Sequence, residues 1–135
     1  MSYPITDIEG IDYDLAATLK SVGIRSTERL LEAARTVKGR KTLAEKTGFN
    51  EKQLLCWANV ADRMRIKGIS KEYAELLQAA GVDTVKELKY RNPANLASAM
   101  ADANKKRKMV RLLPSEKVVC RWIEHAKKLP LKITY

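Results

Sequence analysis

Residues 8–30 recur at residues 66–88, fifty-eight positions further along the chain. Ile8-Glu9-Gly10-Ile11 answers to Ile66-Lys67-Gly68-Ile69, and Ala16, Leu19, Gly23 and Leu30 answer to Ala74, Leu77, Gly81 and Leu88. Glycines and apolar spacing repeat, while the charges between them differ. Turns and core contacts depend on the features that repeat, so the chain is bound to build one supersecondary unit twice. The repeated element is a tight turn between two short helices. It leaves backbone N–H groups at a helix start, where an anion can be held.

Nearly every segment has a helical period, and none alternates with period two. Asp12 caps a first helix with the stripe Leu15, Ala16, Leu19 and Val22. Gly23 followed by apolar Ile24 is a Schellman-type stop. Ser26 caps a second helix containing Leu30, Leu31 and Ala34. A third is expected from about Arg40 to Lys46. Gly48 breaks it, and Asn50 caps a fourth with the stripe Leu54, Trp57, Ala58, Ala61 and Met64. In the second half Ser70 caps a helix containing Tyr73, Ala74, Leu77 and Ala80, stopped by Gly81-Val82. A short helix follows around Leu88, and Asn92-Pro93 starts another, with Leu96, Ala97 and Met100 inward. Ser115 caps the last helix, whose stripe Val119, Trp122, Ile123 and Ala126 matches that of the fourth at a spacing of sixty-five. The drift in spacing places extra residues in Asn104–Arg111, where a longer basic segment replaces the turn Thr47-Gly48-Phe49-Asn50. The expected class is all-α, about eight to ten short helices, in two units at residues 5–65 and 66–130. The tail after Pro130 has no pattern that places it.

The 135 residues are 45% apolar, spread along the chain, which suits a folded protein. No apolar run approaches the length needed to cross a bilayer, and the first residues carry no secretory pattern. Two cysteines, Cys56 and Cys120, imply no disulfide framework. They do not correspond under the repeat and are read as buried free thiols, in a protein expected in a reducing cytosol. No metal site and no cofactor is expected. The net charge is +10. Residues 1–65 hold eleven Lys/Arg against nine Asp/Glu, residues 66–135 fifteen against seven. A surface for a polyanion is therefore expected mostly on the second half.

Gly10-Ile11-Asp12-Tyr13-Asp14-Leu15-Ala16 and Gly68-Ile69-Ser70-Lys71-Glu72-Tyr73-Ala74 resemble the helix-hairpin-helix signature, Gly-apolar-Gly with Ala four positions after the second Gly. The downstream Leu19, Gly23-Ile24 and Leu30, with Leu77, Gly81-Val82 and Leu88, are similar to the double helix-hairpin-helix (SAM-like) domain. The whole chain looks like two such domains in tandem. It is most similar to a bacterial domain-of-unknown-function group numbered 4332, a resemblance that supplies no activity. The signature's second glycine is Asp12 in one copy and Ser70 in the other.

The resemblance implies phosphate binding by hairpin amides, and the residues decide where. Asp12 takes the helix-start N–H groups itself and repels phosphate, with Glu9 and Asp14 beside it, so the Gly10 hairpin is read as structural. The Gly68 hairpin has the uncharged cap Ser70 between Lys67 and Lys71 and is the better phosphate site. Gly48 and Asn50, with Lys46 and Lys52, form a second candidate. Lys117 sits where Lys52 sits in the first half. Lys105, Lys106, Arg107, Lys108 and Arg111 form the densest cationic run, read as backbone-contacting. Trp57 and Trp122 are read as core anchors, and His125 as a surface residue. No nucleophilic triad, phosphate-transfer loop or acid–base constellation appears, so no enzyme is expected. The expected function is non-sequence-specific binding of nucleic acid, foremost duplex DNA. The alternative is a protein-interaction adaptor. No membrane partner is expected, and the oligomeric state is left open.

Overall fold

Seven of the eight α-helices among the described residues begin where a short polar side chain takes a first-turn N–H. The computed structural model, which describes residues 2–135, has eight α-helices and no strand among those residues. They are α1 (Tyr13–Ser21), α2 (Thr27–Ala34), α3 (Val37–Thr47), α4 (Glu51–Arg63), α5 (Lys71–Ala79), α6 (Val85–Lys89), α7 (Pro93–Lys106) and α8 (Glu116–Lys128). Asp12, Ser26, Asn50, Asn92 and Ser115 each accept a hydrogen bond from a first-turn N–H, as expected. Two further caps are present: Thr36 starts α3 at Val37, three residues before the expected Arg40, and Thr84 caps α6.

The all-α expectation holds. Gly23 and Gly81 have φ of 86° and 95° and stop α1 and α5. The Ile24 amide donates to the Leu19 carbonyl at 3.0 Å and the Val82 amide to Leu77 at 2.9 Å, the long bond of a Schellman stop in both halves. The helices pack α2 on α3 and α4, α5 on α7, and α6 and α7 on α8. Buried apolar side chains from Ile5 to Ala126 form one continuous cluster. Trp57 and Trp122 are each 3% exposed and anchor it.

The halves differ where a chain end is replaced by a helix. In the first half the Tyr3 carbonyl accepts from the Thr27 amide at 2.8 Å, and the Ile5 amide donates to the Arg25 carbonyl at 3.2 Å. Fifty-eight residues on, the equivalent groups are the Val85 amide and the Asp83 carbonyl. The segment facing them is the end of α4, whose backbone groups serve its own helix. Side chains substitute. Asp62 Oδ2 accepts from the Val85 amide at 2.9 Å, and Arg63 Nη1 donates to the Asp83 carbonyl at 2.7 Å. Arg63 Nε also donates to the Ala74 carbonyl at 3.0 Å, so this guanidinium ties the end of α4 to α5 and to the turn between α5 and α6. Arg63 is 1% exposed, and that burial pushes its pKa below the ordinary arginine value.

The tail has a definite path. After α8 it crosses to the first half, where the Thr134 amide donates to the Arg35 carbonyl at 2.8 Å. Arg40 Nη2 donates to the Thr134 carbonyl at 2.7 Å. Lys132 pairs with Glu32, which lowers the pKa of that carboxyl.

One expectation fails here. Cys56 and Cys120 are free but exposed, not buried. Cys56 lies about 200° around α4 from Leu54, and Cys120 about 100° around α8 from Val119, both off the core stripe. The longer basic segment at Asn104–Arg111 begins inside a helix, because α7 runs through Lys106. The irregular segment starts at Arg107.

Candidate nucleic-acid interface

The Gly10 and Gly68 turns have the same backbone. Their φ values are 93° and 92°, and the next amide, of Ile11 or Ile69, donates to the Ile8 or Ile66 carbonyl at 3.1 Å in each. Ile11 and Ile69 are buried beneath them, as are Ala16 and Ala74. Each glycine also makes room for a tryptophan. A Cβ on Gly10 would stand 3.6 Å from Trp57 Nε1, and one on Gly68 3.2 Å from Trp122 Nε1. The last helix of each half thus lays its indole against the half's opening turn.

The helix starts beyond the turns differ. Asp12 Oδ1 accepts from the Leu15 amide at 2.9 Å, so the first-turn amide of α1 is engaged by a carboxylate of the chain itself. Ser70 has the extended backbone of a cap, but its hydroxyl makes no capping bond, contrary to expectation. The start of α5 is therefore without a side-chain cap from Ser70.

All fourteen residues assigned to phosphate contact are exposed: Lys46, Gly48, Asn50, Lys52, Lys67, Gly68, Ser70, Lys71, Lys105, Lys106, Arg107, Lys108, Arg111 and Lys117. The fold gathers several of them. Ser70, Glu72 and Tyr73 share a cleft of about 510 Å³ with Lys108–Leu112. Tyr73 Oη donates to the Leu112 carbonyl at 2.9 Å, holding the basic segment against α5. Beside it a cleft of about 460 Å³ is lined by Lys67, Gly68, Val118, Arg121, Trp122 and His125. Arg121 carries no sequence signal of its own, and His125, expected at the surface, is instead packed against the turn. His125 is half-buried, and its Nδ1 accepts from the Lys67 amide at 3.2 Å, which fixes the turn to α8. The signal for both lay in the spacing of sixty-five, which sets Arg121 and His125 opposite Cys56 and Val60 of the first half.

Arg107 is drawn aside. Its Nη2 lies 3.7 Å from Glu9 Oε1, both side chains exposed, so this cation faces the acidic turn of the first half. Glu75 lies in the same field. Burial, and secondarily Glu9, raise its pKa above the ordinary value, against Lys71 and Arg107. The α3–α4 turn is a separate place. Gly48 has φ of 80° and ends α3, Asn50 Oδ1 accepts from the Lys52 amide at 2.7 Å, and Phe49 turns inward, edge-on to Trp57. Lys46 lines a third cleft, of about 700 Å³, with Val22, Ile24, Arg29, Lys38 and Leu43 among its walls.

Among the described residues no three His, Cys, Asp or Glu side chains cluster as a metal site. No helix among them is long and apolar enough to cross a membrane. The fold, then, is a duplicated helical one with an asymmetric pair of glycine turns. Residues 9–129 match the model of the family described as Domain of unknown function (DUF4332), and the chain belongs to that family. No curated protein and no solved structure matches the chain.

Proposed function

We propose that the chain binds nucleic acid without sequence specificity, with duplex DNA as the partner, and that its two glycine turns act as tandem helix-hairpin-helix elements of unequal role. The observation that carries the reading is the setting of the Gly68 turn. An N-cap without its side-chain bond lies between a cleft holding Lys108 and Arg111 and a cleft holding Lys67 and Arg121. Free helix-start amides flanked by guanidinium and ammonium groups suit a phosphodiester oxygen. The contacts are to backbone and carry no base information. Cytosolic residence and the absence of catalysis belong to the same reading.

The test is an anisotropy titration of the intact chain with a short duplex at several salt concentrations. Affinity should fall steeply as salt rises. Replacing Lys105, Lys106, Arg107 and Lys108 together by Ala should leave the melting curve nearly unchanged, since all four are exposed. It should flatten the salt slope by up to about 0.9 per lost phosphate contact. No duplex binding at low salt, or an unchanged slope in the variant, would favour the adaptor reading. The observation on the adaptor side is the first-half cleft, apolar at Val22, Ile24 and Leu43 and rimmed by Arg29, Lys38 and Lys46.

A further inference from the structure

The segment between α7 and α8 carries two leucines facing solvent. Leu112 is 77% exposed and Leu113 39%. They are nonetheless held in place. Asn104 Oδ1 accepts from the Met109 and Val110 amides at 2.8 and 3.1 Å, and its Nδ2 donates to the Val110 carbonyl at 3.2 Å. Val110 is 5% exposed and roots the segment in the core. Tyr73 Oη fastens the Leu112 carbonyl, and Tyr73 itself packs on Trp122 with ring centroids 5.3 Å apart. Pro114 restricts the backbone of Leu113. The corresponding first-half turn does the opposite, with its one large apolar residue, Phe49, packed inward on Trp57.

In sequence the leucines are flanked by Lys105, Lys106, Arg107, Lys108, Arg111 and Lys117 against the single carboxylate of Glu116; in space Lys108 and Arg111 share the Leu112 cleft with Glu72, and Arg107 faces Glu9. A fixed apolar point within a field of cations is the chemistry of a wedge that parts stacked bases while its neighbours hold phosphates. We propose that Leu112 and Leu113 form such a wedge, which directs the protein to duplex sites where stacking is already weak. This rests on the nucleic-acid reading above and adds a structural preference to it. The ligand class is a duplex with a mismatch or another unstacked step, where parting the bases costs less.

The experiment compares two short duplexes, one fully paired and one with a central mismatch, by anisotropy at a single salt concentration. The wild-type chain should bind the mismatched duplex several-fold more tightly. Leu112→Ala with Leu113→Ala should melt like the wild type, bind the paired duplex with similar affinity, and lose the preference. Tyr73→Phe keeps the ring on Trp122 but removes the hydroxyl that holds Leu112, so it should weaken the preference for the mismatch. Equal binding of both duplexes by the wild type, or an unchanged preference in the double variant, would overturn the wedge while leaving duplex binding standing. Failure of the wild type to bind either duplex would overturn the nucleic-acid reading and the wedge with it. Leucine-dependent sedimentation with vesicles of phosphatidylserine and phosphatidylcholine, without a mismatch preference, would assign the leucines to a membrane surface and overturn the proposal.

Discussion

The Gly10 and Gly68 turns share a backbone and differ in everything that faces solvent. Both glycines hold nearly the same φ, both seat an isoleucine in the core, and both lie against a tryptophan from the last helix of their half. Yet Glu9 and Asp12 surround one, and Lys67 and Ser70 the other. Duplication has preserved what the core needs and released what the surface shows. A turn that carries its own carboxylate cap is complete as a structural element. A turn whose cap makes no such bond, in a basic setting, has capacity for an external anion.

The comparison also predicts where the halves break. Arg63 and Asp62 do with side chains what Tyr3 and Ile5 do with backbone. Arg63→Ala should therefore cost about 3 kcal/mol or more, since it removes the donor to the Ala74 and Asp83 carbonyls and opens a cavity. Chemical denaturation of the intact chain measures it. A loss below about 1 kcal/mol would mean that these carbonyls find other donors.

The two turn glycines rank next. Gly68→Ala should destabilise by about 2 kcal/mol and Gly10→Ala by about 1 kcal/mol, because both strain a positive φ. Only the Gly68 substitution adds a tight 3.2 Å approach to an indole. Thermal melts in the reverse order would show that the Trp122 ring yields more easily than the Trp57 ring.

The repeat made much of this fold legible. Left-handed stops at Gly23 and Gly81, five of the caps and both tryptophan anchors follow from local chemistry and a period of 3.6. What escaped was non-local. The tail carries no period because irregular backbone contacts hold it to Arg35 and Arg40. Arg63 looks like a surface cation until the fold brings the Ala74 and Asp83 carbonyls to it. Cys56 and Cys120 are exposed because angular position on the helix, not residue type, decides burial. At the candidate site, charge and glycine marked Lys67, Gly68 and Lys108. Arg121 and His125 reach the turn only through the packing of α8, which links residues 58 apart at His125 and Lys67.

The most direct test asks whether the Gly68 turn, and not net charge alone, holds the phosphate. Lys67→Glu with Ser70→Asp lowers the formal charge by three, and so does Lys38→Glu with Thr42→Asp on the exposed face of α3. Both variants should fold, the first because Asp is a good helix cap. Duplex titrations at low salt should show at least a tenfold larger loss for the Lys67–Ser70 variant, with a salt slope flatter by about one to two units. Equal losses and equal slopes in the two variants would contradict the account, leaving a basic protein with no phosphate site at this turn.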